Sequence, residues 1–278
     1  MLIEVAAAAV NPVDLVTRRG LLHAAALHGV PPVRLGWDVA GTVTEIGSGV
    51  RRLRPGSTVV GVSDRLAALS KTHAEKVVLD QSAVAAIDDR ADLATMSTLP
   101  LAGLTAWQAL ESAGLRRGCV LLVTGAAGAV GSMVVQLALL RGAAVLGADR
   151  PSHRVVIESS GARFVDTAGL AENAREVVPE GVDAAIDTAV IGGQSLDAVR
   201  NRGRHVSLVV SEQPTPLRGI NSTSIAIRAD WEQLTILGNL ATTRAIQLPE
   251  VTTAKLDDAS AACADAEAKR SGRITLTP

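Results

Sequence analysis

Residues 120 to 150 constrain the fold more than any other part of the chain. An apolar run, Val120-Leu-Leu-Val-Thr124, leads into Gly125-Ala-Ala-Gly128-Ala-Val-Gly131. A helix-like stretch over 132–141 follows, then a second apolar run, Ala144-Val-Leu-Gly-Ala148, which ends on Asp149-Arg150. Strand, tight turn, helix and strand in this order predict a βαβ unit with buried parallel strands. The small residues of the turn let the backbone approach a pyrophosphate. The helix that opens there presents unpaired N–H groups and the positive end of its dipole. Gly125, Ala126, Gly128, Ala129, Val130 and Gly131 are therefore candidate cofactor-binding residues. Gly131 also permits close helix–strand packing. Asp149 ends the second strand, where a carboxylate can accept the ribose hydroxyls of NADH. Arg150 follows at once, and an arginine there can instead hold the 2′-phosphate of NADPH. Both cofactors stay open at this point.

The rest of the chain divides by texture. Residues 1–93 carry short β-like runs bounded by turn residues, such as Gly41-Thr-Val-Thr-Glu-Ile-Gly47, Ser57-Thr-Val-Val-Gly-Val62 and Glu75-Lys-Val-Val-Leu79. That is the pattern of a compact β-rich unit. Over 94–224 apolar strands alternate with helical stretches, at 162–165, 184–187 and 205–210 for the later strands. A doubly wound parallel sheet is expected there. From about 225 the tail reads as mixed helix closing on strand-like Arg273-Ile-Thr-Leu-Thr277. A length of 278 residues accommodates two domains of this kind. The expected division is 1–93 with 225–278, and 94–224.

Composition removes several classes of function. Lys and Arg number 27 against 28 Asp and Glu, with no basic stripe, so nucleic acid is not an expected partner. Cys119 and Cys263 form neither a disulfide framework nor a Cys-x-x-Cys pair. Cys119, at the start of an apolar run, reads as a buried small hydrophobe. The histidines His23, His28, His73, His153 and His205 lack ligand spacing, and no metal is expected. The start of the chain is not leader-like, because Glu4 interrupts its apolar run. No apolar run reaches the ~18 residues of a membrane span. These features point to a cytoplasmic protein. Aromatics are scarce: three Trp, one Phe and no Tyr. The core must be built from Val, Leu, Ile and Ala, and no tyrosine hydroxyl is available as an acid. Trp107 reads as a core residue.

Four further segments carry a family resemblance. They are Ala9-Val-Asn11-Pro12-Val13-Asp14, Gly36-Trp-Asp38-Val-Ala40-Gly41-Thr-Val43, Leu99-Pro-Leu-Ala-Gly103-Leu-Thr105-Ala-Trp-Gln-Ala-Leu110, and Gly131-Ser-Met-Val-Val-Gln136-Leu-Ala138 after the glycine turn. In order and spacing the chain resembles the medium-chain dehydrogenase/reductase superfamily, in its zinc-free quinone oxidoreductase-like branch. The tail Ser271-Gly-Arg-Ile-Thr-Leu-Thr-Pro278 resembles the closing strand of that family.

The resemblance implies an α/β fold: a Rossmann doubly wound parallel sheet plus a β-rich GroES-like domain, here N-terminally shortened. Family members carry about two dozen residues before the matched segment. It implies an NAD(P)H-dependent oxidoreductase, zinc-independent, with NADPH by family habit. Hydride would pass to an activated double bond or a quinone, as in enoyl and quinone reductases. The partners are a small enone or quinone and a second copy of the chain in a homodimer. The nicotinamide would lie between the domains, facing Asn11 and Thr105. Asn11 is the expected oxyanion donor and Thr105 the expected nicotinamide contact. Asp14 anchors the loop or helps bind substrate. Ala189 and Val209 join the cofactor-binding set by resemblance.

Departures from the pattern favour an alternative. Val16 stands where many relatives carry a tyrosine. Val209 and Val210 replace glycines, and the segment 187–193 carries extra bulk. The alternative is a redox-inactive member that uses its cleft for binding or for non-redox chemistry such as cyclisation or isomerisation.

Overall fold

The computed structural model describes residues 1–24, 33–66, 68, 70–268 and 272–278. His28 and Ser271 lie outside the described residues. Five strands come first: β1 (Leu2–Ala9), β2 (Asp38–Glu45), β3 (Thr58–Val62), β4 (Lys76–Val78) and β5 (Val84–Ala86). Six follow: β6 (Val120–Thr124), β7 (Ala144–Asp149), β8 (Arg163–Asp166), β9 (Val182–Asp187), β10 (Val199–Ser207) and β11 (Asn221–Ser224). Two close the chain, β12 (Val251–Lys255) and β13 (Arg273–Thr277). The chain forms two compact units, Met1–Leu104 with Arg228–Pro278, and Thr105–Ile227. The division falls inside the helix Leu99–Ser112.

The first unit is built on a sheet ordered β12-β13-β1-β2-β3-β5, with β4 pairing to β1. β1 is its hub. It runs antiparallel to β13 on one side, where Ala9 faces Thr275, and to β2 on the other, where Val5 faces Gly41. Its alanines suit this crowded place. Gly41 is needed opposite, because a Cβ there would run into the Glu4 carbonyl. Ile3, Val5, Val39, Val43, Val59, Val77 and Val84 fill the interior, alternate residues of each strand pointing inward.

The second unit is a parallel sheet ordered β11-β10-β9-β6-β7-β8. Renumbered within the unit, this is the doubly wound order 3-2-1-4-5-6 read from its far side. Leu121, Leu122 and Val123 of β6 are all buried, because helices cover both faces of a parallel sheet. The helix Ala129–Leu140 starts from Gly128 and stops at Arg141, followed by Gly142 at φ +79°. A glycine there accepts the left-handed turn that ends a helix.

Several sequence expectations need correction. β1 and β12 were not anticipated, since alanine is a poor strand former and β12 is mostly exposed. β10 starts earlier than expected and ends at Ser207, where its register partners Asp187 and Ser224 also end. Leu208, Val209 and Val210 therefore leave the sheet, and Val209 and Val210 are exposed. Trp107 is not core. It is half-buried, donates from Nε1 to Glu111 at 2.8 Å, and carries the Arg141 guanidinium 4.4 Å from its ring centroid. An indole N–H needs a polar partner, which favours this boundary position. Cys119 is half-buried rather than buried, because it precedes the first residue of β6.

Candidate functional site

Each unit carries a candidate site of its own. In the Rossmann unit the sheet order reverses between β6 and β9, and ligands of such sheets bind outside the carboxyl ends of the strands at that point. The glycine turn leaves β6 there. Gly125 takes φ +60°, and Gly128 caps the following helix in extended conformation. A Cβ on Gly131 would collide with the Gly125 carbonyl, and one on Gly128 would come within 3.1 Å of the same oxygen. The turn is thus closed tightly on itself, with the N-terminus of a twelve-residue helix behind it. This fits a dinucleotide pyrophosphate.

The loop after β9 is tied to the turn by side chains that sequence reasoning missed. Thr124 Oγ1 donates to Asp187 Oδ1 at 2.5 Å and accepts from Ala189 N–H at 3.1 Å. Asp187 also accepts from the N–H groups of Ile191 and Gly192, at 3.1 and 2.7 Å. Ala189 consequently lies against Gly125. Val190, next along, is forced to φ +60°, a costly conformation for a β-branched residue.

Asp149 ends β7 as expected, but its carboxylate is already engaged. Oδ2 accepts from Ala127 N–H at 3.1 Å, and Oδ1 accepts from Arg150 N–H at 2.8 Å. His153 Nδ1 lies 2.9 Å from Oδ1. Burial pushes the Asp149 pKa up, yet the hydrogen bonds from His153, Arg150 and Ala127 outweigh it and leave the pKa below the usual carboxylate value. Asp149 therefore buttresses the glycine turn. Arg150 is exposed beside it, with Nη2 3.5 Å from His153 Nε2. His153 has no role in the sequence reading. Its signal was the i, i+4 spacing from Asp149.

In the first unit Asn11 and Asp14 come together at the start of the helix Pro12–Arg18. Pro12 suits the first helical position, where its missing N–H costs nothing. Asp14 Oδ2 accepts from Asn11 N–H at 2.9 Å, the returning half of a capping box. Its Oδ1 accepts from Gly36 N–H at 2.8 Å. Both oxygens of this fully buried carboxylate are thus engaged in tying the helix to the start of β2. Burial raises the Asp14 pKa, against the charges of His73 and Lys71 and the two backbone N–H groups. The Asn11 carboxamide, 3% exposed, donates from Nδ2 to Asp38 Oδ2 at 2.8 Å. Its Oδ1 accepts from Arg273 Nη2 at 3.0 Å. Among the described residues, the remaining N–H of the amide reaches only the Ala9 carbonyl, at a long 3.4 Å. Asp38 also accepts from Leu101 N–H at 2.6 Å on Oδ1. Burial raises its pKa to about 7, opposed by the Asn11 hydrogen bond, the charge of Arg273 and the Leu101 N–H, and reinforced by Asp14. Lys71 lies over the Trp37 ring and donates to the Ser63 carbonyl at 2.9 Å. Burial lowers its pKa to about 8. Thr105 is buried on the helix Leu99–Ser112 as the first residue of the Rossmann unit. Val209 follows β10, two residues beyond the register partner of Asp187.

Comparison with known proteins decides the family. Residues 1–90 match the alcohol dehydrogenase GroES-like domain, and residues 129–248 match the family described as zinc-binding dehydrogenase. The chain belongs to the medium-chain dehydrogenase/reductase superfamily. Its place is in the quinone/enoyl-oxidoreductase-like branch. Within the superfamily it is 33% identical over 226 residues to a 2-methylene-furan-3-one reductase of Solanum lycopersicum. It is 31% identical over 225 residues to an NADPH-dependent alkenal/one oxidoreductase of Arabidopsis thaliana. Each match takes in 78% of this chain and 57% of the relative, so the chain spans little more than half the length of these curated proteins. Among solved structures, a quinone oxidoreductase from Coxiella burnetii is similar with TM-score 0.82 and 26% identity. That match covers 100% of this chain and 90% of the other. An alcohol dehydrogenase superfamily protein from Novosphingobium aromaticivorans gives 0.83 and 26%, over 100% and 91%.

The zinc in the second family's description does not fit the residues present. Among the described residues no three His, Cys, Asp or Glu side chains gather as a ligand set. The buried carboxylates Asp14 and Asp38 are already hydrogen-bonded to the amides of Asn11, Gly36 and Leu101. Among the described residues no helix is long and apolar enough to cross a membrane.

Proposed function

We propose that the chain is an NAD(P)H-dependent reductase of activated double bonds or quinones that works without zinc. The observation that carries this is the closed glycine turn at the switch point of the parallel sheet, with Asp187 and Thr124 fastening the neighbouring loop to it. Gly125 to Gly131 and Ala189 are the residues that would hold the dinucleotide, with Val209 beyond β10. When bound, the cofactor supplies hydride for the β-carbon of an enone or enal, or for a quinone. The substrate oxygen then gains negative charge and needs a donor. Asn11 has one carboxamide N–H engaged only by a long bond, and that N–H is our candidate donor. Thr105 is the candidate contact of the nicotinamide.

We further propose NADPH over NADH. Asp149 is committed to Ala127, Arg150 and His153, so it is poorly placed to accept two ribose hydroxyls. The exposed Arg150 offers positive charge for a 2′-phosphate. The Arabidopsis thaliana relative named for NADPH and alkenal/one chemistry supports the same reading. A homodimer through the outer strand β11 is part of the proposal. Fluorescence titration with each cofactor, followed by NADPH consumption with 3-buten-2-one and 1,4-benzoquinone, tests it. The expected result is tighter NADPH binding and consumption with at least one acceptor. Binding without consumption by either would leave the redox-inactive alternative standing.

A further inference from the structure

Asn11 leaves β1 between two neighbouring strands that each open with a charged residue. β2 begins with Asp38 and β13 begins with Arg273, and β1 pairs with both. Asp38 meets the amino end of the Asn11 carboxamide at 2.8 Å, and Arg273 meets its oxygen at 3.0 Å. Arg273 also reaches the Val10 carbonyl, at 3.4 Å, and Asp38 is held from behind by Leu101 N–H. An amide has a donor end and an acceptor end. Turned over, it would set its oxygen against the Asp38 carboxylate and its NH2 against the Arg273 guanidinium. Both contacts would be repulsive, and burial leaves them little screened.

We propose that Asp38 and Arg273 are positioning residues that hold the Asn11 carboxamide in a single orientation, with one N–H kept for a ligand oxygen. The proposal rests on reading Asn11 as the oxyanion donor, and it adds why that donor points one way. A network that only joined three strands would not require opposite charges at opposite ends of the amide. The groups facing Asp38 are the Asn11 amide, Leu101 N–H, Asp14 from the helix Pro12–Arg18 and Arg273 from β13. Protonation of Asp38 would turn an acceptor into a donor and remove one of the two charges that orient the amide.

The test follows the Asn11 side-chain amide itself by NMR of the full chain carrying isotope-labelled asparagine. The sequence holds five asparagines, so the spectrum is simple, and Asn11→Asp identifies the signal. In the unmutated protein the two amide protons should be distinct and slow to exchange with water. They should shift with pH in a step near about 7, the Asp38 pKa, apart from any change that follows Asp14. Asp38→Asn should remove that step, and Arg273→Met should broaden the pair as the amide turns. In turnover of NADPH with 3-buten-2-one, Asp38→Asn should lower kcat about tenfold while NADPH affinity stays within about twofold. No pH step at the Asn11 amide, or a step that survives Asp38→Asn, overturns the proposal. The titration of unmutated protein decides even where a variant does not fold. If NADPH is never consumed, the reductase reading fails while the NMR result still judges the orientation of Asn11.

Discussion

The two units hold their polar groups in opposite ways. In the Rossmann unit the candidate site is made of backbone. Gly125 to Gly131 form a tight turn into a helix N-terminus, with Asp149 bracing the turn and Asp187 bracing the loop after β9. In the first unit the candidate site is made of side chains. Asn11, Asp14 and Asp38 are buried and Arg273 is half-buried, and Asn11 bonds to Asp38 and to Arg273 across long stretches of sequence. A backbone site tolerates change in side-chain chemistry but not in volume. A buried charge network tolerates little change in chemistry and answers strongly to pH.

The largest expected effect is that of a volume change in the turn. Gly131→Val should destabilise the Rossmann unit by more than about 4 kcal/mol, because the new Cβ would strike the Gly125 carbonyl. Chemical denaturation checks this. A loss no larger than that of an ordinary surface substitution would mean that the turn is not closed as described.

The next effect comes from pH, and its sign differs between the units. Asp38 has a folded pKa of about 7 against 3.8 for the ordinary group. Across that interval the folded state binds more protons than the unfolded one. Stability from Asp38 is therefore complete below 3.8 and declines as pH rises to about 7, by at most about 4 kcal/mol. Asp14, also raised by burial, adds a slope of the same sign. His205 in the Rossmann unit behaves in reverse. It is buried between Ser195, at 2.8 Å from Nε2, and Ser222, at 3.4 Å from Nδ1, and burial lowers its pKa below 6.5 despite the charge of Asp187. The unfolded state then takes the proton first, so the Rossmann unit loses stability as pH falls through 6.5. Hydrogen exchange resolved by unit should show the first unit gaining protection in mild acid and the second losing it. Parallel responses would break the comparison.

Smaller effects sharpen it. Arg150→Ala should weaken NADPH binding by roughly 1.5–3 kcal/mol, about 10- to 150-fold, and leave NADH nearly unchanged. Equal loss for both cofactors would remove Arg150 from the 2′-phosphate. Val190→Gly should relieve the φ of +60° and stabilise the protein by about 1 kcal/mol in thermal unfolding. No gain would mean that the loop after β9 relaxes on its own.

The same difference governs what was legible in the sequence. The glycine turn, β6, β7 and Asp149 follow one another within thirty residues, and their spacing carries the physics. The Rossmann sheet could be read from that alone. Asp38 and Arg273 were visible only as parts of family-like segments, because their partner Asn11 is 27 and 262 positions away. β1 was missed because four consecutive alanines look like helix, while three paired strands make that segment a strand. Asp149 ends β7, as the run before it suggests, while its bond to Ala127 depends on how the turn folds back and leaves no trace in the spacing. His153 and Asp187 lacked any motif and emerged from geometry.

Transfer of deuterium from NADPH labelled at the reactive nicotinamide carbon to 3-buten-2-one tests the central claim most directly. The account predicts that the label appears on the β-carbon of the saturated ketone, and that Asn11→Ala slows its transfer while the label still reaches the same carbon. Label at the carbonyl carbon, or label that stays on the cofactor although NADPH is bound, would contradict it.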